Sequence, residues 1–362
     1  NGASGLGDVC AGVTLDAGTD IAQTGGTIQA SDGDIRLTAG RSIIQSDGLI
    51  RTLGSTAATA IVLAANGTGA ADGVIQARSG TIQANPSRGV VGVSAANRIE
   101  LAGLVTATDA ATGVVDLLAS GAGGTSGGTP AIDSAGILTA GHRVTQQAAN
   151  GDIMLSGQVT AGAGGVTIQA DAGSVRQPSG TIGGALLAVF APNGLIEQAG
   201  TVTATISADL TAGAGLTQTG RVQVDSGTAS LFTTNGALTQ TGAISAGRIV
   251  FTNVGGPVTV SGSLTGLLPS RLQAQTRFAI PQANFPTASN DTGIFITAGA
   301  AGADTGSRHA ITFNAAARAT LGQAQLVIGM ANNDPAVINV NATNVDLFLA
   351  LLNGPASGNV FV

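Results

Sequence analysis

Residues 215–224 read GLTQTGRVQV and residues 237–246 read ALTQTGAISA. Each stretch holds an apolar residue, a spacer, Gln, a short gap closed by Gly, and then a second apolar residue. The phrase recurs along the chain. It reads DIAQTGGTIQA from Asp20, SIIQSDGLIRT from Ser42, GVIQARSGTIQA from Gly73, SVRQPSGTIGG from Ser174 and LIEQAGTVTA from Leu195. Looser copies are RIELAGLVTA from Arg98, AIDSAGILTA from Ala131, DIMLSGQVTA from Asp152 and PVTVSGSLTG from Pro257. The apolar anchors are Ile21, Ile43, Ile75, Ile99, Ile132, Ile153, Val175, Ile196, Leu216, Leu238 and Val258. From Ile153 onward they follow at steps of 20 to 22 residues. A fixed period of this size marks a solenoid, in which each repeat packs on its neighbours.

Within the phrase, apolar residues alternate with polar or small ones, the period of a strand. Val, Ile and Thr dominate, as a pleated, half-buried surface prefers. A second alternating run follows each phrase: VTLDAG from Val13, DIRLTAG from Asp34, GVVDLLAS from Gly113, VTIQADAG from Val166, SLFTTNG from Ser230. One coil therefore reads strand, turn, strand, turn, strand. The expected fold is all-β: a parallel β-helix with coils of about 20–22 residues, right-handed by the crossover preference. The 56 Gly residues carry no collagen triplet and fall at turns, where positive φ or close backbone approach is needed. Two long steps, around TLGSTAATA and GAGGTSGGTP, read as loops bulging from the coil.

The Gln slot shares the anchor's face. It holds Gln23, Gln45, Gln76, Gln177, Gln198, Gln218 and Gln240, and in looser coils Leu101, Leu155 and Val260. Apolar substitutes at the same slot point it inward. Stacked amides can hydrogen-bond along a β-stack, so these seven Gln read as a buried structural ladder that pins register. The column Gln29, Arg51, Gln83, Thr106, Thr139, Thr160, Gly183, Thr203, Gln223, Ser245 and Thr265 points outward as a polar, Thr-rich face. Only Thr201 and Thr203 give that face a clean Thr-x-Thr pair of the ice-binding kind. Residues 1–270 are read as the β-helix. From about Arg271 the phrase fades and six of the nine Phe follow, so residues 271–362 read as a separate C-terminal β region: further coils, a cap or a small β domain.

Composition narrows the chemistry. Charged residues make up 9% of the chain, every basic residue is Arg, and Trp and Tyr are absent. A net charge of −6 gives no basic stripe for nucleic acid. No apolar run reaches the ~18 residues of a spanning helix, so no transmembrane segment is expected. No signal peptide opens the chain, which reads as a mature or excised piece of something larger. Cys10 is single, a small buried hydrophobe or an intermolecular bridge. His142 and His309 are far apart, without metal-ligand spacing, so no metal and no cofactor is expected. Asp16, Asp116, Asp171 and Asp209 are scattered, and no catalytic residue emerges; the chain reads as not an enzyme, with a polysaccharide lyase or hydrolase as the minor alternative.

The G-x-I-x-Q-x-G-x-I-x-A style of repeat, over roughly Val13 to Gly266, resembles the filamentous-haemagglutinin type of bacterial surface β-helix, found in two-partner-secreted exoproteins and autotransporter passengers. The resemblance implies a secreted protein of the bacterial cell surface with a structural or adhesive task. The family's secretion domain and its Asn-Pro motifs are not evident; ANPSRG at Ala84 and APNGLI at Ala191 fall inside ordinary coils. A β-helix end presents unpaired strand edges. The expected partners are therefore other copies of the chain, stacked head to tail into a filament, with host-surface or matrix glycans and proteins as further candidates. The alternative is a monomeric adhesin stalk.

Overall fold

The computed structural model describes residues 12–53, 59–121, 129–255 and 258–266, and beyond them the strands Gly293–Ala298, Ala310–Phe313, Arg318–Thr320, Gln325–Met330, Val337–Val340 and Val360–Phe361. Cys10, His309, the core of the Gly-rich stretch after Gly121 and most of the 271–362 region lie outside the described residues. Among the described residues there are strands and turns and no helix. The fold is a parallel β-solenoid. The chain divides into two compact units, Asn1–Gly194 and Leu195–Val362, so the division falls earlier than the change in the phrase.

In the first unit each full coil contributes three strand positions. The anchor column runs through Ile21, Ile43, Val74, Ile99, Ile132, Ile153 and Val175, paired in parallel and in register. The partner of Ile43 is Val74, not Ile75; Ile75 stands beside Ile44 on the outward side. Val74 is the better anchor because it leaves Gln76 two residues on, at the same offset as Gln23 and Gln45. The second column carries Ile28, Ile50, Ile82, Val105, Leu138 and Val159. The third carries Leu15, Leu37, Leu63, Val93, Leu117, Gln146 and Ile168.

Alternation along each strand sends these side chains to one interior, where Ile35, Ile50, Ile61, Ile82, Ile99 and Ile132 are fully buried. Burying such a side chain stabilises the fold by about 1.5–3 kcal/mol. The third strand ends on Ala39, Ala65, Ala95, Ala119 and Ala148, stacked in register. These Ala methyls are buried where the chain leaves the third strand, and the same column holds Ala212 and the buried Thr233 and Asn253 in the second unit.

The second unit repeats the pattern. Ile196, Leu216, Leu238 and Val258 stack in the anchor column. Val202, Val222, Ile244 and Leu264 stack in the second. Leu210, Leu231 and Phe251 stack in the third, with Phe251 fully buried. The later strands extend all three columns: Gly293–Ala298 pairs with Arg248–Gly255, Ala310–Phe313 with Val258–Val260, and Arg318–Thr320 with Ser263–Gly266. In backbone terms, part of the region after residue 271 is further coil.

Candidate functional site

All seven Gln of the phrase are buried, from 8% exposed at Gln23 to 0% at Gln218 and Gln240. In the first unit Gln45 donates from Nε2 to Oε1 of Gln23 at 2.9 Å, and Gln76 donates to Oε1 of Gln45 at 3.0 Å. In the second, Gln218 donates to Oε1 of Gln198 at 3.1 Å. The ladder has ends. Above Gln76 the slot holds Leu101, which has no donor to offer, and Gln76 Oε1 is buried without a hydrogen-bond partner. Gln218 Oε1 is buried and unpartnered as well, and the Gln240 amide donates to Gly242 O at 2.7 Å.

The same amides do a second task that the sequence reading missed. Six of the seven Nε2 groups reach a carbonyl at the corner that follows their own strand: Gln23 to Gly26 O, Gln45 to Gly48 O, Gln177 to Gly180 O, Gln198 to Gly200 O, Gln218 to Gly220 O and Gln240 to Gly242 O; Gln76 reaches Leu104 O instead. Gly200 O and Gly220 O also accept a backbone N–H from the next coil, from Arg221 and Ala243, so the amide there fills the second lone pair of a corner carbonyl. The signal was present as the short gap, two to four residues, between Gln and Gly.

That Gly has its own reason. A Cβ added at Gly103, Gly136, Gly157, Gly220, Gly242 or Gly262 would meet the carbonyl oxygen of the corner Gly one coil earlier at less than 3.0 Å. The corners are stacked backbone on backbone, with no room for a side chain. Asp residues lock the coils in a third way: Asp20 accepts from Ser42 N–H at 3.0 Å and Asp152 from Ser174 N–H at 2.8 Å.

Outside, the predicted polar column is half-exposed or exposed from Gln29 to Thr265, apart from the buried Gly183. Beside it, Leu104 and Ile137 are stacked in register and exposed, at 36% and 44%. In the second unit Thr217, Thr239 and Thr259 stack on the outer side of the anchor strands, with Thr219, Thr241 and Ser261 two residues on. Thr-x-Thr pairs therefore occur at 217/219 and 239/241 too, on a different face from Thr201 and Thr203.

The acidic residues do not converge on one place. Asp116 pairs with Arg143 at 3.3 Å, and Asp171 accepts from Gln147 and Gln169. Burial raises the carboxyl of Asp209 above its ordinary value, partly offset by a hydrogen bond from Ser207. At Asp109 the hydroxyl and then the N–H of Thr112 hold the carboxyl low, closing a turn. The one carboxylate neighbourhood that the sequence reading missed is Glu100 beside Asp133, brought together by the pairing of Arg98–Leu101 with Ile132–Ser134. His142 sits at a corner with Nδ1 buried and unpartnered. Among the described residues no group of three or more His, Cys, Asp or Glu could hold a metal ion, and no helix is long and apolar enough to cross a membrane. No protein-family model, curated protein or solved structure matches this chain.

Proposed function

We propose that the protein is an extracellular structural or adhesive β-helix of a bacterial surface, of the filamentous-haemagglutinin kind, and that it works as the subunit of a head-to-tail homopolymeric filament. The observation that carries this reading is the first described coil. Leu15 stands in register with Leu37 on the inward side, yet it is 36% exposed where Leu37 is 1%. Ile21 and Ile28 are half-exposed, whereas the next coil buries Ile43 and Ile50. Among the described residues the strand Val13–Ala17 is paired along one edge, with Ile35–Ala39. A coil surface of this kind is completed by another coil. The described coils carry the matching alternation, so a second copy fits this surface through strand addition and apolar contact, as a preceding coil of the same chain also would.

The test is negative-stain electron microscopy of the purified chain, with sedimentation velocity. Long fibres of uniform width support the filament, and Leu15→Arg is expected to shorten or abolish them. Isolated particles at all concentrations would overturn it. The reading would then be a monomeric adhesin stalk, which the exposed Leu104–Ile137 pair beside Thr106 and Thr139 favours as a contact face for host-surface glycans or proteins. Incubation with acidic and neutral polysaccharides tests the enzymatic alternative; new reducing ends or unsaturated products would establish it.

A further inference from the structure

On the outer side of the anchor column, Glu100 and Asp133 are direct register partners on adjacent coils. Parallel strands lie about 4.8 Å apart, so two carboxylates here cannot both ionise without mutual repulsion. Among the described residues no ion pair to Asp133 is formed. On the strand below, Arg98 is engaged by Glu100, its guanidinium 3.5 Å from the carboxylate. On the strand above, the register partner is Met154, a thioether. Asp152, just before that strand, is paired with Arg176 at 3.8 Å. Arg143, on the third strand of the same coil, is paired with Asp116. Asp133 is half-buried, and its Oδ1 is buried without a hydrogen-bond partner. An unpaired carboxylate oxygen cut off from water is costly, whereas a protonated carboxyl beside a carboxylate has a hydrogen bond to offer.

We propose that Asp133 keeps its proton against the neighbouring Glu100 and that the pair acts as a pH-sensitive clasp between adjacent coils, closed in acid and opened by deprotonation of Asp133. The direction of titration agrees. Burial first, and then the Glu100 carboxylate, raise the Asp133 carboxyl above its ordinary value, with Arg98 acting weakly the other way. Asp133 thus binds its proton more tightly in the folded protein than in the unfolded chain. Its contribution to stability is full in acid and falls as pH rises through the window above the ordinary carboxylate value. This clasp is independent of the filament reading.

The experiment is urea unfolding of the full chain from about pH 4 to about pH 8, with carboxyl infrared spectra of the folded protein. The wild-type midpoint is expected to fall with rising pH. Asp133→Asn is expected to flatten that fall and to raise the midpoint at neutral pH; Glu100→Gln flattens it in part by removing the neighbouring charge. The protonated-carboxyl band that outlasts the ordinary carboxylate range should weaken in Asp133→Asn, Asp209 supplying what remains. A merely structural role would shift the midpoint equally at every pH. Asp133→Asn with the wild-type slope, or an unchanged infrared band, would overturn the proposal. If Asp133→Asn does not fold, a Glu100→Gln profile parallel to wild type does so.

Discussion

The two units turn the same corner in two ways. Where the first unit has Gln, the Gly lies three or more residues on: Gln23 to Gly26, Gln45 to Gly48, Gln177 to Gly180. These three Gly adopt φ of 71°, 97° and 76°. In the second unit the Gly lies two residues on, at Gly200, Gly220 and Gly242, and none of these has positive φ. The hydrogen bond from Gln to its corner follows. It measures 3.2–3.4 Å at the long corners and 2.5–2.7 Å at the short ones. A longer corner carries its carbonyl away from the amide, and a shorter one brings it close. Either corner leaves the second N–H of the amide available to the coil before: Gln45 donates to Gln23 and Gln218 donates to Gln198, whereas Gln218 Oε1 receives no such donation from Gln240.

The largest expected effect tests this difference directly. Gly180 has both positive φ and a crowded corner, so Gly180→Ala meets two penalties. Overlap with the stacked carbonyl costs about 1–3 kcal/mol, and the left-handed backbone adds about 1–2 kcal/mol. Gly220→Ala in the second unit meets only the overlap, and Gly26→Ala only the backbone term, since nothing lies within 4 Å of its added Cβ. Urea unfolding should rank Gly180→Ala as the most destabilised. Equal losses at Gly180 and Gly220 would break the distinction between the corners.

The next effect concerns the amides. Gln45→Leu removes donations to Gln23, Gly48 and Thr81, and takes away the acceptor of Gln76. Leaving such groups unpaired should cost about 2–3 kcal/mol. Gln218→Leu also removes two donations, but it deletes an oxygen that is already unpartnered. A loss nearer 1 kcal/mol is expected. Leu101 and Leu155 show that the slot accepts an apolar side chain of this size. Amide hydrogen exchange at the following corner should rise more in Gln45→Leu than in Gln218→Leu.

Much of this architecture was legible in the chain. The alternation of apolar and polar residues sets strand faces, and the Gln slot announces its inward direction because Leu101, Leu155 and Val260 share it. What the sequence concealed depends on which residues stack across coils. Ile75 and Val74 are both apolar neighbours of Gln76, and only the pairing with Ile43 separates them. Glu100 and Asp133 are 33 residues apart because an insertion intervenes, so their adjacency is invisible to a fixed period. Ser134 breaks the Gln column for a similar reason. Its hydroxyl donates to Gln146 Oε1 at 3.1 Å, an amide supplied by the third strand across the interior rather than by the coil before. The change in phrase from about Arg271 left further coils, a cap or a small β domain open, and the later described strands pair in the old columns. Phe295 and Phe313 fall on strand positions that register with Val250 and Val260.

The smallest effect lies with the half-buried acids, one in each unit. Asp133 has a carboxylate neighbour and a buried, unpartnered oxygen; Asp209 has instead the Ser207 hydroxyl at 3.3 Å. Burial still raises the Asp209 carboxyl, so its ionised form disfavours the folded state at neutral pH. Stability tied to it is present in acid and declines as pH rises above the ordinary carboxylate value. Asp209→Asn should therefore stabilise the protein at neutral pH, by about 0.5 kcal/mol or less, because solvent near a half-exposed group screens the cost. In acid the gain should vanish. The Ser207 bond favours the carboxylate, so Ser207→Ala should steepen the decline with pH, an effect with no counterpart around Asp133. Urea midpoints of the two variants against pH check this; a Ser207→Ala profile parallel to wild type would mean that burial alone sets both acids.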